Sequence, residues 1–85
     1  MLWEEGGGAP EALGRLLGAT RAALLQQLDA PVSTTELARR LEMAAGGVSM
    51  HLRALRDAGL LTAERHGREV LYVRTELADE LVAAA

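Results

Sequence analysis

No cysteine occurs among the 85 residues, so disulfides and thiolate metal sites are excluded. Phenylalanine is missing too, and with Trp3 and Tyr72 as the only aromatics a core must be assembled from Leu, Val and Ala. Side chains of that kind suit short helices packed closely. No apolar run approaches the roughly 20 residues that cross a bilayer. The opening "MLWEEGGGAP" places two acids where a secretion signal has a basic start. These absences predict a cytoplasmic protein. An excess of positive charge is lacking as well: the net charge is −3, which taken whole speaks against a polyanionic partner.

That charge is unevenly placed. Residues 33–74 hold seven Arg against five acids, a net of +2, while the remaining residues hold two Arg against seven acids, a net of −5. A mildly basic middle lies between acidic ends. At this length the chain can build one domain around one core.

Punctuation and periodicity divide it further. Residues 1–9, with three consecutive glycines, read as a flexible N-terminal arm, anchored at Trp3 on the first helix or on a neighbouring subunit. A domain over residues 10–85 follows. Its first helix starts at Pro10, carries Leu13, Leu16 and Leu17, and stops at Gly18. A second, capped by Thr20, carries Leu24, Leu25 and Leu28 and ends before Pro31. In "VSTTE", Ser33 and Glu36 have the spacing of a capping box, and Leu37, Ala38 and Leu41 give a third helix its apolar stripe. A fourth helix spans 45–58 and is closed by Gly59. Then the period shortens to two. Residues 60–65 and 68–74 read as strands joined by His66-Gly67, a register that sets Arg65 opposite Arg68 and Glu64 opposite Glu69. Thr75 caps a last helix over 76–84, with Leu77, Leu81 and Val82 on one side. The expected fold is mainly α with a two- or three-stranded antiparallel β unit.

The fourth helix poses the sharpest question. Val48, Leu52 and Leu55 recur at the spacing of a buried stripe, yet Gly46 and Gly47 each cost about 1 kcal/mol against alanine inside a helix. Turning the helix by about 100° per residue puts the flanks of His51 and Ala58 inward with the stripe, and Gly46, Met50, Arg53 and Asp57 opposite it, with Ser49 at the edge. Such a face fits the interior of a major groove: small residues let the backbone approach, Ser bonds bases or phosphates, and Arg reads guanine or neutralises phosphate. The N–H groups at the helix start suit a phosphate.

The stretch "TTELARRLEMAAGGVSMHLRALRDAGLLTAERHGREVLYVRT", residues 34–75, resembles the winged helix-turn-helix of ArsR-type bacterial transcription regulators. Val48, Ser49, His51, Leu52, Leu55, Gly59, Leu60, Gly67, Arg68, Leu71 and Tyr72 carry the likeness, which extends from Leu16 to Leu81. It implies a helix-turn-helix over 34–58, a wing over 60–74 and a C-terminal dimerisation helix over 76–84. It further implies a homodimer built from the first and last helices, two fourth helices in successive major grooves, and wings on backbone or minor groove. Ser49 and Met50 then sit where the family meets double-stranded DNA, and Thr34 and Thr35 where the third helix approaches phosphates. Two departures stand out. Ala44 and Ala45 replace the usual cap and proline, and Met50 replaces a polar base reader, so that readout there is apolar, as against a thymine methyl.

The expected DNA-binding residues are Thr34, Thr35, Gly46, Gly47, Ser49, Met50, Arg53, Arg65, His66 and Arg68. Plainer roles compete. Met50 serves equally as an exposed helix former, and His66 as a turn residue. His51 reads as a core-edge histidine satisfied locally, Tyr72 as wing-root packing, and Arg39 and Arg40 beside Glu36 and Glu42 as a solvated face. The last helix offers Asp79 and Glu80 without histidine, so neither metal nor cofactor is expected. Without a His–carboxylate constellation or room for a sizeable pocket, the chain does not read as an enzyme. The acidic arm and the abrupt Met-Leu-Trp start suggest the DNA-binding end of a longer regulator. The leading expectation is a homodimeric repressor on an inverted-repeat operator. The alternative, favoured by the net charge, is a winged helix serving as a protein-interaction or dimerisation module.

Overall fold

The computed structural model describes residues 8–84, and leucine, valine and alanine fill every buried position from residue 12 onward. Five helices and three strands enclose that core: α1 (Gly8–Leu17), α2 (Ala19–Gln27), β1 (Val32–Ser33), α3 (Thr34–Leu41), α4 (Ala45–Asp57), β2 (Leu61–His66), β3 (Glu69–Arg74) and α5 (Glu76–Ala84). Leu24, Leu25, Leu37, Val48 and Leu52 are fully buried at its centre. The antiparallel sheet has the order β1-β3-β2, so the short strand before α3 joins the hairpin as a third member. No helix among the described residues is long and apolar enough to cross a membrane.

The helix ends explain the angles between elements. Gly18, at φ 92°, separates α1 from α2 and is the N-cap of α2, which places Thr20 inside the first turn rather than at the cap. Ser33 caps α3 by accepting from the Glu36 N–H at 3.1 Å. Only this half of the expected capping box forms, because the Glu36 carboxylate turns instead to Arg39 and Arg40. At the end of α3, Glu42 adopts φ 55° while the Met43 N–H reaches the Ala38 carbonyl and the Glu42 N–H the Arg39 carbonyl. That bond pattern is a Schellman ending with glutamate where glycine is usual. At the end of α4 the same pattern recurs with Gly59 at φ 83°: the Leu60 N–H bonds the Leu55 carbonyl and the Gly59 N–H the Arg56 carbonyl. Leu55 and Leu60 are both buried there, the apolar contact that accompanies this ending.

Several expectations need correction. Helix α1 begins at Gly8, so Pro10 lies within the first turn, where its missing N–H has no helical partner to lose. Trp3 and the rest of the predicted arm up to residue 7 lie outside the described residues. Leu16 and Leu77 point outward, at 66% and 56% exposure, and the buried residue of α5 is Ala78. Ala58 is exposed rather than inward. The hairpin loop is Gly67-Arg68, one residue later than read: Arg65 pairs with Val70, Glu64 with Leu71 and His66 with Glu69. Gly67 has φ 65° and no non-glycine residue of the loop has a positive φ, so glycine takes the first central position, as a II′-type turn requires. Neither like-charge facing pair therefore exists. His66 ends β2 instead of turning, its Nε2 3.2 Å from Glu64 Oε1.

Arg74 joins three elements. From the end of β3 its Nη1 donates to the Leu25 carbonyl at 3.1 Å, in the last turn of α2, where a cation also meets the negative end of the helix dipole. Its Nε is buried without a hydrogen bond but lies 2.9 Å from Asp79 Oδ1 in the first turn of α5. The next residue, Thr75, caps α5 through the Ala78 N–H and donates its hydroxyl to the Gly59 carbonyl at 2.8 Å. The wing's exit is thus tied to α2, α4 and α5 at once.

Two outcomes are expected in denaturant and thermal unfolding at fixed protein concentration. Arg74→Ala removes a charge-assisted bond to a helix end and lowers the unfolding free energy by about 2 kcal/mol; an unchanged urea midpoint would show the pin to be idle. Glu42→Gly relieves a left-handed non-glycine residue at an exposed site, and stability rises by about 0.5–1 kcal/mol, or several degrees in Tm.

Candidate nucleic-acid interface

Helix α4 takes its orientation from three residues. Val48, Leu52 and Leu55 are buried against α2, α3 and β2, so the opposite side faces solvent. Gly46, Ser49, Met50 and Arg53 are all exposed there, and Met50 is 63% exposed, a large apolar side chain with no place in the core. Gly47 is half-buried. Neither glycine has a positive φ, and both lie in regular helix. A Cβ added to Gly46 would meet nothing within 4 Å, and one added to Gly47 would meet only Met43 Cε at 3.8 Å, an ordinary contact. The interior of the protein therefore gives no reason for either glycine.

The start of α4 is also electrostatically open. Its N-cap, Ala44, makes no side-chain bond, and the first turn contains no acid. The N–H groups and the positive end of the dipole stay available at an exposed surface. Thr35, at the start of α3, is exposed, and Thr34 is half-buried beside it.

All nine basic residues are arginines, and ion pairing sorts them. Glu36 binds Arg39 through Nε at 3.1 Å and Arg40 through Nε at 2.9 Å. Hydrogen bonds from the two guanidinium groups hold the Glu36 carboxyl down at about 2, so it stays ionised and engages both arginines, leaving the trio a single net positive charge. Arg74 is engaged at α2 and α5, as described above. Arg21 donates Nε to His51 Nδ1 at 3.2 Å, which ties α2 to the flank of α4 and fixes that nitrogen as an acceptor. Among the described residues, Arg53 and Arg56 on α4, and Arg65 and Arg68 on the wing, enter no ion pair or side-chain hydrogen bond. All four are exposed. His66, by contrast, is held by Glu64.

Sequence reasoning thus placed Gly46, Ser49, Met50 and Arg53 on one helix face, and the structure has them there. It placed Arg65, His66 and Arg68 at the wing tip, where Arg68 occupies the loop and the other two end β2. It missed what Arg74 does. The signal for Arg74 was available in its spacing from Thr75 and Asp79, which puts an acid in the first turn of the helix after a cap.

Comparison with known proteins places this geometry. The helix-turn-helix domain family matches residues 16–64. The transcriptional repressor SmtB of Mycobacterium tuberculosis is 42% identical over 65 residues, 75% of this chain and 48% of that protein. The chain thus spans about half the length of the relatives it matches. Reduced HlyU from Vibrio cholerae aligns with a TM-score of 0.72 at 26% identity, covering 92% of this chain and 86% of that one. A cysteine-to-serine variant of Lactococcus lactis ZitR, solved in complex with DNA, aligns with a TM-score of 0.71 at 23% identity over 76% of this chain and 47% of that one, a likeness of fold. With the helix-turn-helix family matched over more than half its length and the wing closing the sheet, the chain belongs to the helix-turn-helix domain family, in its ArsR-type winged form.

Proposed function

We propose that this chain is the DNA-binding domain of a homodimeric transcription regulator, acting in the cytoplasm as a repressor, with α4 entering the major groove and the wing resting on backbone or minor groove. The observation that carries the reading is the face of α4: two glycines without an internal cause, beside exposed Ser49, Met50 and Arg53. Bare backbone lets the helix start approach phosphate, to which its free N–H groups are already turned. Arg53, Arg56, Arg65 and Arg68 supply cations that no acid of the described residues claims. Thr34 and Thr35 stand at the start of α3 as second phosphate donors. The relative SmtB is a repressor and ZitR has been solved on DNA, which supports the same use of a shared fold. Dimerisation is supported by Leu16 on α1 and Leu77 on α5, large apolar residues left open on two helices that pack together. No step calls for a metal or a cofactor, and no catalytic chemistry is assigned.

Two measurements test the reading. Binding to duplex DNA weakens with salt at a log-log slope of about −0.9 per phosphate contact, so Arg68→Ala, which removes one contact per protomer, makes the dimer's slope shallower by about 2. If Arg53→Ala and Arg68→Ala together alter neither affinity nor slope, the protein-interaction reading favoured by the −3 charge takes its place. The glycines give a test with opposite signs. Gly46→Ala with Gly47→Ala raises the stability of the free protein by about 1–2 kcal/mol, since both sites accept a Cβ, and lowers DNA affinity at least tenfold. A stabilised variant that binds as well as the parent contradicts the close approach.

A further inference from the structure

Met50 is 63% exposed and lies outside the core of the described residues, and its surroundings are specific. A helical side chain leans toward the helix N-terminus, over residues three and four positions earlier. For Met50 those residues are Gly47 and Gly46, so the patch that its thioether overhangs is bare backbone. Above Gly46 there is room for a carbon atom with nothing else within 4 Å, and the space beside Gly47 is bounded by Met43 Cε. The surface beneath the Met50 side chain is therefore glycine backbone, open above Gly46, on the exposed face that carries Arg53.

Resting on the proposed function, we infer that Met50, lying over this bare backbone, reads the C5-methyl of a thymine in the major groove as the specificity-determining residue. The base edges of the major groove present hydrogen-bond donors and acceptors and one apolar group, the thymine methyl. Met50 can neither donate nor strongly accept. Its only favourable base contact is therefore with that methyl, and its unbranched, polarisable chain adapts to the position. Arg53 lies three residues further on, about 4.5 Å along the helix, little more than the roughly 3.4 Å between successive nucleotides. The two side chains thus address base pairs one or two steps apart, and each half-site carries a thymine near the guanine or phosphate that Arg53 meets.

The test uses the full chain and a duplex selected from a random library. Each thymine of the selected site is replaced by uracil, which deletes the methyl and leaves every hydrogen-bonding group in place. One position per half-site is expected to lose about fourfold in affinity, the size of one buried methyl. Met50→Ala abolishes the difference between thymine and uracil at that position and leaves the salt slope unchanged, whereas Met50→Leu keeps it. Indifference to uracil at every position, selection of a site without a recurring thymine, or discrimination that survives Met50→Ala overturns the inference while DNA binding itself stands. Failure to retain any duplex at low salt removes the proposed function and the inference with it, a result that depends on neither Met50 nor the methyl.

Discussion

Burial of Val48, Leu52 and Leu55 sets the rotation of α4 about its own axis, and almost everything else in the structure follows from that rotation. These three side chains enter a core with no aromatic or polar member, in which leucines from α2, α3 and β2 leave no second way to seat the helix. A helix turned by one residue would bury Ser49 or expose Leu52, either of which removes a large part of what a domain this small has for stability. The face opposite the stripe is accordingly presented by the core. Its composition is then open to selection for something other than folding.

Electrostatics is arranged by the same division of labour. A net charge of −3 describes the whole chain poorly, because the acids and arginines do not mix evenly. Glu36 engages both Arg39 and Arg40 on α3 and offsets one of their two charges, and Arg74 commits its charge to a helix end and to Asp79. On α4 and the wing, no ion pair among the described residues engages Arg53, Arg56, Arg65 or Arg68. Exposed pairs such as Glu36–Arg39 add little stability. Their effect is to decide which arginines can meet a polyanion.

Much of this was legible in the chain. The helix-turn-helix boundaries, the glycine ending of α4 and the span of α5 follow from caps and periodicity, local rules that the core reinforces. The errors fell where long-range geometry overrode local pattern. His66-Gly67 looks like a turn because Gly is expected second, yet the hairpin takes Gly67 first, and every facing pair shifts with it. Leu77 and Ala78 exchange the burial expected of them because α5 meets the core through its smallest side chain, where the helix packs closely. Glu42 in a left-handed conformation has no sequence signal at all. Arg74 was counted with the basic middle, since composition cannot tell an arginine that pins a helix from one left for a partner.

Several departures from good folding practice gather at the start of α4. Ala44 gives α4 no side-chain cap, Gly46 and Gly47 weaken its first turns where alanine would fit, and Met50 exposes an apolar side chain two residues further on than the buried Val48. Each is unfavourable for the isolated domain, and none is forced by the backbone, because neither glycine has a positive φ. Glu42 at the end of α3 is a further departure, but Ser33 and Thr75 cap α3 and α5, Gly59 closes α4 and Arg74 meets the end of α2, so the concentration at the start of α4 is not a general looseness of the fold. Local rules broken together, without compensation among the described residues, are what the proposed interface at α4 accounts for.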